Sequence, residues 1–584
     1  MFAMLENLAE ESKTLANGSF DDIQSLPAIV DYLPVHAIKT KLFNEYFPDL
    51  TIVDLATRAW WHRAWTVQEL MLSKKSILMM GKYTITWENC FAAVDHGLRM
   101  QLWGHVFLGF IVNPVIIPYI SMRALMNRYR LVDQQRSPAV DLLRLLIHCR
   151  HRDSRDPRDK IYAVLGILRD IHPETLKSDA SDAPNVEVGY QRDVREVYRS
   201  MSQELILKTN TLDSLGVCPE TELDLPSWAT DWSCTDRIGS PLMQDSLERM
   251  RITHATKYTK ANAHFSIDGT RLILRGFEVT TIVALSDTLP VPDLDNVAGS
   301  KASLKHGKKS RTQLPDFESL IPEANSSPDF DSMTARAESN LAKARISVAT
   351  YTDMVKGFYA WLRTRLFSNL QLYTVIFFYL VELCIKPLGW RYKSLDKDCR
   401  AIMSVFHTLF TWEQFAASQK PTNEGIEPED VYWHTLCGGT YKNLDPVKTK
   451  VIFEHWYNVL EPLRSFVRNF RWISRIFPWI GIAVYMRATW ETYGDFWPFI
   501  VASQHRRMGR TENGWLGMMP GHAKVGDVVI LASGGRVPLV MRKKETEVDG
   551  VQEKRALFIG EAYIQGIMDG EMWDEQRCED IEIW

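Results

Sequence analysis

The apolar positions of this chain change their period from segment to segment, and each change predicts an element. Met4 to Leu15 reads as a helix. The run Arg58-Ala-Trp-Trp-His-Arg-Ala-Trp-Thr-Val-Gln-Glu-Leu70 holds three tryptophans and neither Gly nor Pro, which predicts one uninterrupted helix. At helical spacing Arg58, His62, Trp65 and Glu69 share one face, and Trp60, Ala64, Val67 and Met71 another. Ser76 to Met80 reads as a strand ending at a Gly81-Lys82 turn, and Leu142 to His148 as an apolar helix. At Ser154-Arg-Asp-Pro-Arg-Asp-Lys-Ile-Tyr the signals for a helix start coincide. Asp156 suits a cap, Pro157 the first helical position, and Asp159 the positive end of the helix dipole. Ile161, Val164, Leu165 and Leu168 then form its buried stripe.

Val186 to Tyr190 predicts a short strand, and Val194, Val197, Tyr198, Met201 and Leu205 a second amphipathic helix. Leu225-Pro-Ser-Trp-Ala-Thr-Asp-Trp-Ser233 is a loop whose indoles are expected to lock against the core. His264 to Val279, turning at Asp268-Gly269, reads as a β-hairpin. Near the C-terminus, Val525–Leu531, Val537–Arg542 and Ala556–Ile564 are strand-like and close together, which predicts a small barrel or curled sheet. The expected organisation is therefore 1–235, 236–285 (the hairpin), a disordered linker at 286–336, a helical region at 337–495 and a β-rich module at 496–584.

Composition narrows the function classes. An apolar share of 46% and a charged share of 24% are those of a globular protein. A net charge of −4 gives no reason to expect nucleic-acid binding. The basic run Lys301 to Arg311 lies in the expected linker and reads as solvated. The eight cysteines are scattered and form no C-x-x-C pair, so no metal site is expected, and reduced thiols in the cytoplasm fit. Met100 to Met122 carries no formal charge over a length that could span a bilayer. Its Pro114 and Pro118 favour a buried or interfacial helix instead, and membrane contact is the lesser expectation. No phosphate loop, nucleophile elbow or H-E-x-x-H occurs. Asp527 and Glu561 read as solvated acids in or beside strands, and Asp569 with Glu571 as a weak acidic pair.

Several blocks together resemble the fungal heterokaryon incompatibility (HET) domain family. Arg63-Ala-Trp65-Thr-Val-Gln68-Glu69 resembles its R-x-W-x-x-Q-E block. Asp156-Pro157-Arg158-Asp159-Lys-Ile-Tyr162-Ala-Val-Leu-Gly166 resembles its D-P-R-D-K-x-Y-A-L-L-G block. Tyr190–Tyr198, Leu225–Ser233, Val431–Leu436 (with His434 where the family has arginine) and Gly526–Glu571 are similar to its later blocks. The A-L-S-Y-x-W-G and I-D-A-x-C-I-N-Q blocks that open the family's domain do not precede Arg63. The resemblance is thus to a HET domain without its first blocks, through a truncated gene model or a shortened paralogue.

That resemblance implies a partial TIR-like, flavodoxin-like α/β domain, then a mainly helical region and the β-rich module. It implies a role in self/non-self recognition and programmed cell death through protein–protein interaction. The partners would be other HET-type or allorecognition proteins, or a second copy. An alternative follows from TIR-type NAD cleavage, which uses a glutamate in a W-x-x-x-E helix. Glu69 would then be catalytic, with Trp65 supporting it and NAD as substrate, with no resident cofactor. An oxocarbenium-like state stabilised by a nearby carboxylate makes chemical sense of that role. The residue pattern alone equally allows an ordinary core helix whose Glu69 pairs with a neighbouring arginine. A third reading is an inactive paralogue that regulates full-length relatives.

Overall fold

The computed structural model describes residues 59–99, 137–150, 152–173, 184–217, 223–234, 253–290, 390–423, 427, 430–438, 446–469, 475, 503, 505–548 and 551–584. The chain divides into two compact units, 1–298 with 398–584, and 299–397. Of the second unit only the first residues of one long helix are described. The expected helix at Met4–Leu15, the uncharged run Met100–Met122 and the basic run 301–311 lie outside the described residues. Among the described residues no helix is long and apolar enough to cross a membrane. The architecture is mixed α/β: helices with one small hairpin in the N-terminal part, further helices, and a C-terminal sheet.

The Trp-rich segment is two helices, α1 (Ala59–His62) and α2 (Trp65–Met71), where one was expected. The break has a distant cause. Asp153 pairs alongside Arg63 in an isolated parallel bridge, donating its N–H to the His62 carbonyl and accepting from Ala64 N at 2.9 Å. Those backbone groups cannot also serve a helical ladder. Strands β1 (Ile77–Met80) and β2 (Tyr83–Thr86) follow as an antiparallel hairpin. Gly81 at φ +60° supplies the left-handed residue its two-residue turn needs. Helices α3 (Trp87–Arg99), α4 (Pro138–Cys149), α5 (Asp159–Ile171) and α6 (Val194–Thr209) follow among the described residues.

The stripe Ile161, Val164, Leu165 and Leu168 is buried as expected, in one cluster with Trp61, Val67, Leu142, Leu146, Tyr198 and Trp232. Residues 186–190, expected as a strand, form no strand: 186–189 have no regular structure and Tyr190 lies in a turn. Trp228 and Trp232 are each 1% exposed, so the Pro- and Trp-rich loop is locked as expected. Trp228 serves a second cluster, shared with strands of the C-terminal sheet.

Strand β3 (Ala263–Phe265) pairs with the fourteen-residue β4 (Leu272–Leu285) as the expected hairpin. The expected boundary at 285 nevertheless falls inside one sheet, because β4 is its central strand. Among the described residues, helices α7 (Trp390–Ala417), α8 (Val431–Cys437), α9 (Pro446–Val459) and α10 (Glu461–Asn469) follow in sequence. Then come β5 (Arg506–Thr511), β6 (Leu516–Pro520), β7 (Val528–Ala532), β8 (Leu539–Val548), β9 (Val551–Glu561) and β10 (Glu579–Ile583).

The first half of β4 pairs with β10 and its middle with β7, while β8 and β9 carry the order round to β10 again. Five strands thus close a ring. Bulges at Glu278/Thr280 and Ile282/Ala284 bend β4, so its end pairs with β5 and extends the sheet to β6. Met518 of β6 then exchanges both backbone hydrogen bonds with Tyr563, at 2.8 and 2.9 Å, just past β9. That bridge ties the far side of the sheet back to the residues after β9, while among the described residues β3 pairs on one side only, with β4.

Residues 286–290, expected to open the linker, instead continue the pairing of β4. Ser286 N donates to Met508 O, Leu289 N to Arg506 O, and Leu289 is fully buried. The buried Arg510 of β5 reaches across to the end of α7. Its Nη2 donates to the carbonyls of Phe415, Ala416 and Gln419 at 3.1, 2.8 and 2.5 Å. A cation at a helix C-terminus meets both its unpaired carbonyls and the negative end of its dipole.

Candidate functional site

The two blocks that carry the family resemblance most strongly lie against each other. Arg63 bridges to Asp153, and the Gln68 side chain lies over Gly166 of α5. A Cβ on Gly166 would stand 2.4 Å from Gln68 Oε1, so the glycine leaves room for the amide. Thr66, Val67 and Leu70 of α2 are buried, while Trp65 is half-buried against the same cluster.

The D-P-R-D block holds the segment that precedes α6. Asp156 takes Arg158 side-on, Oδ1 to Nε at 2.9 Å and Oδ2 to Nη2 at 2.8 Å, and also accepts from Arg158 N at 3.0 Å. These hydrogen bonds to Arg158 hold the Asp156 carboxyl below the usual carboxylate range. The expected cap is therefore partly spent on the arginine, and the regular helix begins at Asp159, two residues beyond Pro157. Arg158 Nη1 donates to the carbonyls of Tyr190 (2.5 Å) and Arg192 (2.7 Å), with its guanidinium 5.4 Å above the Tyr190 ring. Tyr190 donates to Asp159 Oδ1 at 2.7 Å, a bond that pushes its hydroxyl up to about 12. Tyr162 contacts the Gly189 backbone at 3.2 Å and meets the Tyr190 ring edge-on. Tyr198 donates to the Pro157 carbonyl at 2.6 Å, and burial pushes its hydroxyl well above the ordinary tyrosine range.

Asp156, Pro157, Arg158, Asp159 and Tyr162 thus work as a clamp on 189–198. Gln68 joins that clamped helix to α2. Glu69 behaves differently: it is exposed, and among the described residues it forms no ion pair or side-chain hydrogen bond. The arginine pairing expected for it as a core-helix residue is therefore not made among those residues.

Sequence reasoning passed over several buried charges around this frame. Lys160 is 6% exposed, and its Nζ donates to the carbonyls of Arg150 (2.8 Å) and Arg152, satisfying the end of α4. Arg152 is fully buried and donates to Trp61 O at 2.6 Å. His172 and Asp141 form a buried pair at 2.9 Å, which Arg144 joins at 3.2 Å. The one available signal was Lys160 on the apolar side of an amphipathic helix; nothing in the spacing joined Asp141 to His172. In the barrel, Asp527 and Glu561 are each 2% exposed, which corrects their reading as solvated acids. Asp527 is paired side-on with Arg542, and the Glu561 carboxylate occupies the space a Cβ on Gly216 would need. Asp569 and Glu571 are exposed, and among the described residues no acid, histidine or cysteine cluster could hold a metal ion.

Burial lowers Lys160 from an ordinary value near 10.5 to about 8. Between those values the unfolded chain binds a proton that the folded chain has shed, so stability rises with pH across that window and the gain is lost below it. The urea midpoint should therefore rise from pH 7.5 to 9.5 by an amount worth roughly 2 kcal/mol more in wild type than in Lys160→Met. Equal slopes for the two proteins would show that Lys160 does not titrate this way.

Residues 483–583 match the family model of the Het-6 β-barrel domain. The chain is 22% identical over 544 residues to heterokaryon incompatibility protein 6, OR allele, of Neurospora crassa. That alignment covers 90% of this chain and 66% of the relative's length. No solved structure matches. The family-model match and the long alignment bear out the resemblance to a HET-type fungal protein.

Proposed function

We propose that this heterokaryon-incompatibility-type chain acts in fungal self/non-self recognition leading to programmed cell death, through protein–protein contact. Its partners would be other HET-type or allorecognition proteins, or further copies of itself. One observation carries the reading: the polar side chains of the D-P-R-D block, together with Gln68, are spent inside the domain. Asp156, Arg158, Asp159 and Tyr162 grip 189–198, and Gln68 sits on Gly166. Side chains committed in this way build a rigid frame for a surface, whereas catalysis needs groups free to meet a substrate.

Glu69 supports a second reading. It is a solvent-open carboxylate with no ion pair among the described residues, four residues after Trp65, as a TIR-like NAD-cleaving site would require. A TIR-like α/β arrangement would be needed to hold the nucleotide. The two readings part on one variant. Glu69→Ala should fold with its stability within about 0.5 kcal/mol of wild type, since it removes an exposed side chain. Overexpressed in a fungal host, the contact reading expects growth arrest by wild type and undiminished arrest by Glu69→Ala. Arrest lost in the folded variant, together with lost NAD depletion, would transfer the function to the enzyme reading.

A further inference from the structure

The β1–β2 hairpin presents large apolar side chains to solvent on its outer side. Its inner side is Leu78 and Ile85, opposite one another in the register, with Ile85 3% exposed and Leu78 packed on the core. Its outer side carries Ile77, 57% exposed, and Met79, 74% exposed, across from Thr86 and Thr84. Tyr83, beside the turn and on the Leu78–Ile85 side by register, is exposed, as is Leu72 just before the hairpin. Ile77 and Met79, two residues apart on one side of β1, thus form an exposed apolar pair on the outer face, where a single such residue would need no explanation.

Along the hairpin's own stretch of chain the charge is of one sign. From Leu70 to Trp87 the chain has three lysines, Lys74, Lys75 and Lys82, all exposed, and no Asp or Glu. Glu69 and Glu88 stand just outside at either end. Lys82 lies 5.5 Å from the centre of the Tyr83 ring, so cation and aromatic share the tip.

We infer that this hairpin docks on an anionic phospholipid surface, with Ile77 and Met79 entering the headgroup boundary and Lys74, Lys75 and Lys82 meeting lipid phosphates. Size favours a bilayer over a protein partner. A stable protein interface takes about 20–30 residues a side, far more than one four-residue strand pair supplies. A bilayer needs only a few inserted apolar side chains and a basic cluster. The attachment is peripheral and reversible.

The test is co-sedimentation of the full chain with vesicles of phosphatidylcholine alone or with about one third phosphatidylserine. Wild type sediments with the anionic vesicles and stays in solution with the neutral ones. Each lysine near such a surface contributes about fivefold in affinity. The Lys74→Gln/Lys75→Gln/Lys82→Gln variant therefore binds on the order of 100-fold more weakly, and wild-type binding falls as salt is raised. Ile77→Ser/Met79→Ser, which alters exposed positions only, keeps its thermal midpoint and loses vesicle binding. Wild type left in the supernatant with anionic vesicles overturns the inference, and so does a lysine variant that binds like wild type. A wild-type dimer in light scattering that Ile77→Ser/Met79→Ser breaks, with no vesicle binding, also overturns it and gives the face to a second copy.

Discussion

Replacing Gly276 with valine should prevent the C-terminal barrel from forming. Gly276 lies where β4 is paired on both sides, with Ala532 of β7 on one flank and Glu579 of β10 on the other. A Cβ there would stand 2.4 Å from the Leu531 carbonyl oxygen and 2.9 Å from Ala532 Cα. Both are backbone atoms of a strand held by its own ladder, so no side-chain rotation relieves the clash. Accommodation requires β7 to move away from β4, which opens the five-strand ring at its central pairing. Overpacking of a core side chain costs about 1–3 kcal/mol; a clash on paired backbone belongs above that range, at about 4 kcal/mol or more. The measurement is the urea midpoint, or the soluble yield if the variant does not fold. Arg275→Val is the control, because Arg275 is exposed on the same strand and valine suits strands. Equal stability of Gly276→Val and Arg275→Val would mean that β4 and β7 are not packed as described.

That crowding also shows what the sequence could reveal. Helices α5 and α6, the β3–β4 hairpin and the cores of β7, β8 and β9 follow from local periodicity, and Trp228 and Trp232 from their loop. The elements that stayed hidden are made by partners remote in sequence. Strand β5 is Arg506-Arg-Met-Gly-Arg-Thr511, whose composition looks like a basic turn. It becomes a strand because β4 and β6 pair with it, and because Arg506 and Arg510 find backbone carbonyls. Strand β10, Glu579-Asp-Ile-Glu-Ile583, has one face apolar enough to see, but its acids read as a solvated tail until β4 is opposite. The break between α1 and α2 is of the same kind, since Asp153 comes from ninety residues downstream. The motif blocks were legible as blocks. Their common work was not, because no spacing rule says that Gln68 will meet Gly166 or that Arg158 will reach the carbonyls of Tyr190 and Arg192.

Asp527→Ala should be the most damaging change of charge in the barrel. The Asp527 side chain is 3% exposed and meets Arg542 through two bonds of 2.8 Å, Oδ1 to Nε and Oδ2 to Nη2. Its Oδ2 also accepts from Lys524 N at 2.7 Å, and its main-chain carbonyl accepts from Ile282 N at 2.9 Å. One residue thus fixes the turn into β7, the start of β8 and the bulged part of β4. Alanine keeps the main-chain bond but leaves the Lys524 amide without its acceptor and the guanidinium without its counter-charge. Removing one member of a buried pair costs about 3–5 kcal/mol. Arg542 keeps its bond to the His522 carbonyl and is 23% exposed, so water can reach it and the lower end of that range applies. Arg542→Leu in the Asp527→Ala background should recover part of the loss, because the stranded cation is then gone. The double-mutant cycle in urea reads this directly. Additive losses across the cycle would mean that the pair is not coupled, and that Asp527 acts only through its bond to Lys524.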